Sequence, residues 1–233
     1  MNKLLLAFAA TLLFGTLVFA QDTKADPAKI GVDSAQQRLK EVSISKFEDA
    51  GFWKVSIPLD AGVITARRML GNPADKKPIT DEKDANIKEP DIYVLGIKAE
   101  FFGRTNTTIA IEPIRPLAIP GITKTISVWV IGRNNNHKLS VVVEDNFGNR
   151  NYLPMGKLNF SGWKQITVAV PPTLEQHNPH YNNLTGIKIL GFVIEPELTE
   201  TYGSYFVYFD DLRVVTDLFA EENRDADDIP DAW

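Results

Sequence analysis

Three acidic residues from opposite ends of the chain could share a metal ion. Glu48 and Asp49 lie near the start of the main body of the sequence, and Asp210 lies near its end. Calcium takes several oxygen ligands, and in a sandwich whose first and last strands are neighbours such acids can meet. The pattern therefore predicts a structural calcium site at Glu48, Asp49 and Asp210. The alternative is that these acids cap strands and accept hydrogen bonds from backbone amides.

A second run of oxygen-bearing side chains lies in the acidic segment 220–233. Asn223, Asp225, Asp227 and Asp231 alternate with other residues and resemble one half of a thrombospondin-type calcium repeat. Asp228 stands where that repeat has the glycine of its sharp turn. Calcium binding by these four side chains is one prediction, and a solvated acidic segment is the other.

Aromatic and amide side chains in turns form a third candidate, a surface for a glycan or a protein partner. Trp163 follows Ser161-Gly162, and Asn134 and Asn135 lie in an asparagine-rich turn. Asn and Gly adopt positive φ at little cost, so these stretches are typical of turns. A Trp inside an apolar strand is usually part of the core. We therefore predict partner contacts at Trp163, Asn134 and Asn135, and a core position for Trp129.

The sequence lacks the short motifs that mark common catalytic sites. It contains no Gly-x-Ser-x-Gly, no His-Glu-x-x-His and no glycine-rich phosphate loop. The formal net charge is −5, the acidity is concentrated at the C-terminal end, and no basic cluster suits a nucleic acid. We therefore expect a protein that is not an enzyme, has no cofactor apart from structural calcium, and has no nucleic-acid partner.

The first twenty residues have the pattern of a secretory signal peptide. Lys3 supplies positive charge, residues 4–18 are almost continuously apolar, and Val18-Phe19-Ala20 is a small-x-small cleavage site. No later stretch of this length is apolar, which argues against a membrane anchor. The chain contains no cysteine, so disulfides and a lipid-modified cysteine are excluded. These features predict export to a bacterial periplasm.

Short runs rich in Val, Ile, Thr and aromatic residues recur along the chain between clusters of Gly, Pro, Asn and Ser. The runs cover residues 41–49, 52–57, 62–70, 91–102, 107–112, 126–132, 139–144, 164–170, 184–195 and 204–215. Such runs are typical of antiparallel strands. Nine to eleven strands with little helix predict an all-β fold, an antiparallel two-sheet β-sandwich of the jelly-roll kind.

The predicted organisation has a single folded domain. Residues 1–20 are the signal peptide, 21–40 a leader with a helix at 33–40, 41–219 the sandwich, and 220–233 an acidic tail. Residues 71–90 contain three prolines and many charges, so we expect a surface loop. Residues 204–215 are apolar on both sides up to Phe209, which predicts a central strand covered on both faces.

The strand and turn pieces of the chain, taken in order, resemble a known family. They are residues 126–133 (ISVWVIGR), 143–148 (VEDNFG), 153–158 (LPMGKL), 160–165 (FSGWKQ), 167–171 (TVAVP), 191–192 (GF) and 208–215 (YFDDLRVV). This ordered set, within residues 47–215, is similar to the FlaA-type sheath, or outer layer, proteins of spirochaete periplasmic flagella.

The resemblance implies a structural protein of the periplasmic flagellum. It would coat a core filament of flagellin-like subunits and tune the shape and stiffness of the filament for motility. Its partners would be core filament proteins, other sheath proteins and further copies of itself, because heterologous contacts that do not close build a helical cover. The sandwich of the family also looks like carbohydrate-binding jelly rolls, so a secreted carbohydrate-binding module is the alternative.

Overall fold

The computed structural model describes residues 39–79, 91–178, 180 and 185–218. Its strands are β1 (Leu39–Ser45), β2 (Trp53–Ser56), β3 (Gly62–Leu70), β4 (Tyr93–Phe101), β5 (Ile109–Pro113), β6 (Leu117–Ala118), β7 (Ile122–Ile131), β8 (Lys138–Glu144), β9 (Arg150–Lys157), β10 (Trp163–Ala169), β11 (Lys188–Glu195) and β12 (Gly203–Asp217). Two 3-10 helices, Ala50–Phe52 and Leu198–Glu200, interrupt them. No helix in the described ranges is long and apolar enough to cross a membrane.

The strands form two six-stranded antiparallel sheets that pack face to face. Sheet A has the order β10-β7-β12-β4-β3, with β1 paired to β12 as well. Sheet B has the order β2-β5-β11-β8-β9, with β6 paired to β11. The predicted all-β, two-sheet antiparallel sandwich is confirmed.

The core lies between the two sheets and follows the two-residue period of the strands. In β7 the inward side chains are Ile126, Val128 and Val130, all fully buried. At one end of the core Phe47 stacks on Trp53 with 4.6 Å between ring centroids, and Phe192 lies 5.4 Å from Phe209. Alternate residues of a strand point to opposite faces, so the same alternation also fixes which side chains lie outside the sandwich.

Strand β12 is the central strand of sheet A, as predicted. It pairs with β7 on one side, and on the other side with β4 and then with β1. At this change of neighbour Asp210 pairs with Trp129 and Arg213 with Ser127, so two residues of β12 oppose one of β7. One of the two extra residues, Asp211, has φ +53°. This β-bulge places the acidic pair in the middle of the strand.

The structure differs from the predicted elements in a few places. Strands β9 and β6 are not among the predicted runs. In β9, Pro154 and Gly156 weaken the strand pattern, but β9 is an edge of sheet B, where a residue without an N–H donor is tolerated. Strand β1 begins at Leu39, so the end of the predicted helix 33–40 is strand. The predicted signal peptide, the rest of the leader and the acidic tail lie outside the described residues.

Candidate interaction surface

Glu48 and Asp49 both hold backbone groups near the end of β1. Glu48 Oε1 accepts hydrogen bonds from the backbone N–H groups of Ile92, at 2.7 Å, and Tyr93, at 2.9 Å. Asp49 Oδ1 accepts one from Gly51 N–H at 2.8 Å and caps the first 3-10 helix. These contacts match the alternative prediction, in which the acids accept hydrogen bonds from backbone amides.

Asp210 is held by a buried lysine. Lys76 Nζ lies 2.7 Å from Asp210 Oδ2 and 2.5 Å from Asp91 Oδ1. The side chains of Asp210 and Lys76 are 0% and 6% exposed. Burial raises the pKa of Asp210 to about 6, although the ion pair with Lys76 opposes the rise. Burial works to lower the pKa of Lys76, but its bonds to the two aspartates outweigh burial and the pKa is raised.

The predicted calcium site at Glu48, Asp49 and Asp210 is not assembled in this arrangement. Each carboxylate is engaged by a different protein donor, and the Asp210 carboxylate is matched by the charge of Lys76. In the part of the chain that the structure describes, no group of three or more His, Cys, Asp and Glu side chains could hold a metal ion. The second predicted calcium site, Asn223, Asp225, Asp227 and Asp231, lies outside the described residues.

Residues 71–79 form a strap across the outer face of sheet A. Besides the Lys76 contacts, Arg213 Nη2 donates a hydrogen bond to the Lys77 carbonyl oxygen at 2.5 Å. Ile79 is buried, and Gly71 packs beside Val94. The prediction of a surface loop holds for these residues, which form no strand or helix and are mostly exposed. Sequence did not show that this loop also supplies partners for the buried charges of β12.

Beyond the strap, one row of paired residues crosses all five strands in the order of sheet A. Arg67 pairs with Gly96, Gly96 with Tyr208, Tyr208 with Ile131, and Ile131 with Trp163. Directly paired residues share a face, so these five residues lie on the outer face in a row about 19 Å across.

The row borders a depression with an apolar floor and a cationic rim. Because Gly96 has no side chain, a depression of about 190 Å³ opens among its neighbours Met69, Phe206 and Tyr208. Lys98 Nζ lies 5.8 Å from the Phe206 ring centroid. We call this surface the outer patch and define it by six residues: Arg67, Met69, Gly96, Lys98, Phe206 and Tyr208.

The predicted contact residues lie at the rim of this same face. Trp163 is half-buried at the start of β10, Asn134 is exposed, and Asn135 is half-buried. Asn134 N–H donates a hydrogen bond to the Phe160 carbonyl oxygen at 2.9 Å. Arg133, in the same turn, places its guanidinium 5.4 Å from the Tyr208 ring centroid. The structure therefore brings the asparagine turn next to the segment that leads into Trp163, with Arg133 reaching Tyr208.

Two predictions about this face are wrong. Trp129 is half-buried on the outer face, because the inward positions of β7 belong to Ile126, Val128 and Val130. Strand β12 is covered on both faces only where the strap crosses it, and Phe206 remains 39% exposed. The apolar residues on both sides of this stretch suggested a doubly covered strand, but those on the outer side form an exposed aromatic surface.

The sequence matches the family model described as flagellar filament outer layer protein over residues 16–224. The chain belongs to this family. A flagellar filament outer layer-like protein of Brachyspira hyodysenteriae is 35% identical over 223 residues, which are 93% of this chain and all of that protein. The resemblance to FlaA-type proteins is confirmed.

Two longer members of the family match over part of their length. The flagellar filament outer layer protein of Spirochaeta aurantia is 29% identical over 46% of this chain and 35% of its own length. That of Treponema pallidum is 26% identical over 42% of this chain and 30% of its own length. The chain thus aligns with about a third of each of these two proteins.

Solved structures with a similar strand arrangement include carbohydrate-binding modules. A family 11 module from Clostridium thermocellum has a TM-score of 0.44 at 11% identity, covering 76% of this chain and 95% of the module. TmCBM61, solved with β-1,4-galactotriose, has a TM-score of 0.39 at 14% identity, covering 73% of this chain and 91% of the module.

Proposed function

We propose that this protein is a structural subunit of the periplasmic flagellar filament sheath. It coats the filament core and tunes the shape and stiffness of the filament, and hence motility. The observation that carries the proposal is the family match over residues 16–224, supported by identity along the whole length of the Brachyspira relative. The chain acts by assembly rather than by catalysis.

The architecture suits a subunit that must transmit bending forces. Two sheets with a closely packed aliphatic and aromatic core make a rigid body, because protein interiors are packed as densely as organic crystals. The buried pair of Asp210 with Lys76 holds the strap to sheet A. The outer patch then offers apolar area with a charged rim, the usual composition of a protein contact.

Location and partners follow from the same proposal. The chain is exported to the periplasm by the predicted signal peptide and lies on the flagellar filament. Its partners are the core filament proteins, other sheath proteins and further copies of itself. Contacts of the head-to-tail type would extend such a layer along the filament without closing it into a ring.

Electron microscopy of filaments from wild-type and deletion strains tests this function. We expect the deletion to remove density from the filament surface and to change filament curvature and swimming, with recovery when the wild-type gene is restored. The protein should also co-purify with isolated periplasmic flagella. Recovery of the protein only in the soluble periplasm, together with unchanged filaments in the deletion strain, would refute the proposal.

A carbohydrate-binding module is the competing function, and one observation favours it. Phe206, Tyr208 and Trp163 present aromatic rings on one sheet face, and aromatic rings are common contacts for ligands with apolar faces such as sugars. A glycan array probed with the full chain decides this point. Specific binding that is lost in Tyr208→Ala would support a glycan ligand, and a blank array would exclude one among the glycans tested.

A further inference from the structure

We propose that the acidic segment 220–233 of one subunit docks on the outer patch of the next subunit in the sheath. The inference rests on the proposed function and names one contact that would build the layer. The partner of the outer patch is thus a second copy of this chain, and the part of that copy that binds is residues 220–233.

Charge complementarity is the first support for this pairing. Among the residues that the structure describes, the rim of the outer patch carries the cations Arg67, Lys98 and Arg133 and the carboxylate of Glu100, which is paired with Lys98. The segment carries six acids and one base, Arg224. Opposite potentials steer two surfaces together and fix their orientation, whereas like charges exclude wrong partners.

The second support is the depression at Gly96. Its volume of about 190 Å³ and its apolar lining by Met69, Phe206 and Tyr208 suit one large side chain. The acidic segment contains Trp233. A tryptophan provides large apolar area with little loss of side-chain entropy and can stack against a guanidinium such as that of Arg67, which is why it is frequent at the centre of interfaces.

The path of β12 favours a neighbouring subunit over the same chain. From Tyr208 to its end at Asp217 the strand runs nine residues, about 30 Å, away from the outer patch. The strap lies on this stretch, with Lys76 on Asp210 and the Lys77 carbonyl on Arg213. To reach the patch of its own chain the segment would have to reverse and run back about 30 Å along the sheet face that carries the strap. The direction of β12 itself leads away from that patch, which favours a neighbouring copy.

The segment is long enough for this contact. Residues 219–233 span at most about 50 Å when extended. A contact between one end of a subunit and the face of the next is heterologous and leaves a free outer patch at one end of a row and a free acidic segment at the other. Repetition therefore gives an open row, the geometry that a filament cover requires.

Photocrosslinking of the full chain tests where the segment lies. A benzophenone amino acid replaces Trp233, and unlabelled and ¹⁵N-labelled chains are mixed before illumination. We expect mixed-isotope crosslinks to peptides containing Met69, Phe206 or Tyr208. Crosslinks confined to one chain, crosslinks to another surface, or a monomeric chain without crosslinks would each overturn the proposal.

A charge exchange provides a second test that does not depend on the photoreactive residue. Arg67→Glu with Lys98→Glu should weaken self-association, measured by sedimentation velocity, by about tenfold or more. Mixing this chain with one whose acids are replaced by lysine should restore association. The six acids are Glu221, Glu222, Asp225, Asp227, Asp228 and Asp231. Failure to restore association, with both chains folded by circular dichroism, would contradict the pairing.

The matched control lies on the other sheet. Lys54 of β2 and Lys157 of β9 are exposed cations at the two edges of sheet B, so Lys54→Glu with Lys157→Glu makes the same charge change away from the outer patch. This chain should associate like the wild type. Equal weakening would show that net charge, and not the outer patch, governs association.

Filament binding separates this inference from the proposed function. If the chain with Arg67→Glu and Lys98→Glu still coats filaments at wild-type density, the docking contact is refuted and the sheath function stands. If the wild-type chain itself is absent from filaments, the sheath function is refuted whatever the crosslinks show.

Discussion

The outer faces of the two sheets each carry a lysine–carboxylate pair, but in very different surroundings. On sheet A, Lys76 and Asp210 are 2.7 Å apart and almost wholly buried under the strap. On sheet B, Lys188 and Glu144 are also 2.7 Å apart, but the lysine side chain is 51% exposed. The comparison shows that an equal distance need not mean an equal contribution, because water competes for the pair on sheet B and is excluded from the pair on sheet A.

The same two faces differ in their exposed aromatic residues. On sheet A, Phe206 and Tyr208 lie two residues apart beside the depression at Gly96. On sheet B, Tyr152 is 60% exposed, and its cross-strand partner is Val142, which is aliphatic. A single exposed aromatic side chain is ordinary, whereas a cluster with a cationic rim marks a contact surface. The contrast therefore supports the proposal that sheet A carries the contact surface.

Replacing the two lysines tests the first difference and should give the largest effect. Lys76→Met leaves the Asp210 carboxylate buried without a cation, so the free energy of unfolding should fall by about 3 kcal/mol. Lys188→Met removes one partner of an exposed pair and should cost less than about 1 kcal/mol. Urea denaturation at neutral pH measures both values. Equal losses would mean that the strap does not shield its ion pair from water.

The cost of Lys76→Met should also depend on pH. Asp210 already has a pKa of about 6 in the folded protein, above the unfolded value, and loss of the cation raises it further. For such a group the stabilising contribution is full at low pH and is lost as the pH rises through the folded pKa. The deficit of the Lys76→Met chain should therefore be smallest near pH 5 and grow by about 1 kcal/mol or more towards pH 8.

Urea denaturation across this pH range measures the effect, and a double variant serves as the control. Lys76→Met with Asp210→Asn lacks the buried carboxyl whose pKa is raised, so its deficit should lack the rise between pH 5 and pH 8 that this carboxyl causes. Asp91, the other partner of Lys76, is present in both variants. A rise of the same size in the double variant would assign the pH dependence to another residue.

Truncating one aromatic residue on each face tests the second difference. Phe206→Ala should cost less than about 1.5 kcal/mol of unfolding free energy, because the side chain is 39% exposed. Its binding to filaments isolated from a deletion strain, measured by co-sedimentation, should weaken about tenfold. Tyr152→Ala removes a comparable ring from sheet B and should bind like the wild type. Similar binding by both variants would remove the distinction between the faces.

The strands and the core residues between the two sheets could largely be predicted from the sequence. Strand β3 has the predicted bounds, and Val128 and Val130 lie in the core, because alternation of apolar residues is a local property of a strand. The central position of β12 followed from the apolar character of both its sides. The outward, half-buried position of Trp129 did not follow, because an apolar run alone does not say which of its two faces meets the other sheet.

The candidate surface was readable only in part. Asn134 and Trp163 were found because turns have a local signature. Lys76 and Asp210 are separated by 134 residues in the sequence, so no local sequence pattern predicts their ion pair. The row from Arg67 to Trp163 likewise depends on four registers that topology alone supplies. Two of the acids that looked like calcium ligands, Asp210 and Glu48, instead have long-range partners, a lysine and two backbone amides. Asp49 accepts a local hydrogen bond from Gly51.

Replacing Gly96 should have the smallest effect on stability. It tests whether the depression on the outer face of sheet A is needed for association. A Cβ atom built there lies 2.7 Å from Met69 Cγ and 3.2 Å from the Tyr208 ring, so Gly96→Ala narrows the depression at its floor. Met69 is exposed enough to move aside, and alanine suits a strand better than glycine, so the free energy of unfolding should change by less than about 1 kcal/mol. Association should nevertheless weaken, because the space offered to a partner side chain is lost.

Sedimentation velocity compares this variant with Gly103→Ala, where a Cβ meets no atom within 4 Å. The control should associate like the wild type. Suppose that Gly96→Ala associates like the wild type while the chain with Arg67→Glu and Lys98→Glu does not. The cations of sheet A alone would then account for assembly, and the depression would hold no side chain of the partner. A loss of association with Gly96→Ala at unchanged stability would instead require a side chain in that space, since no charge has been altered.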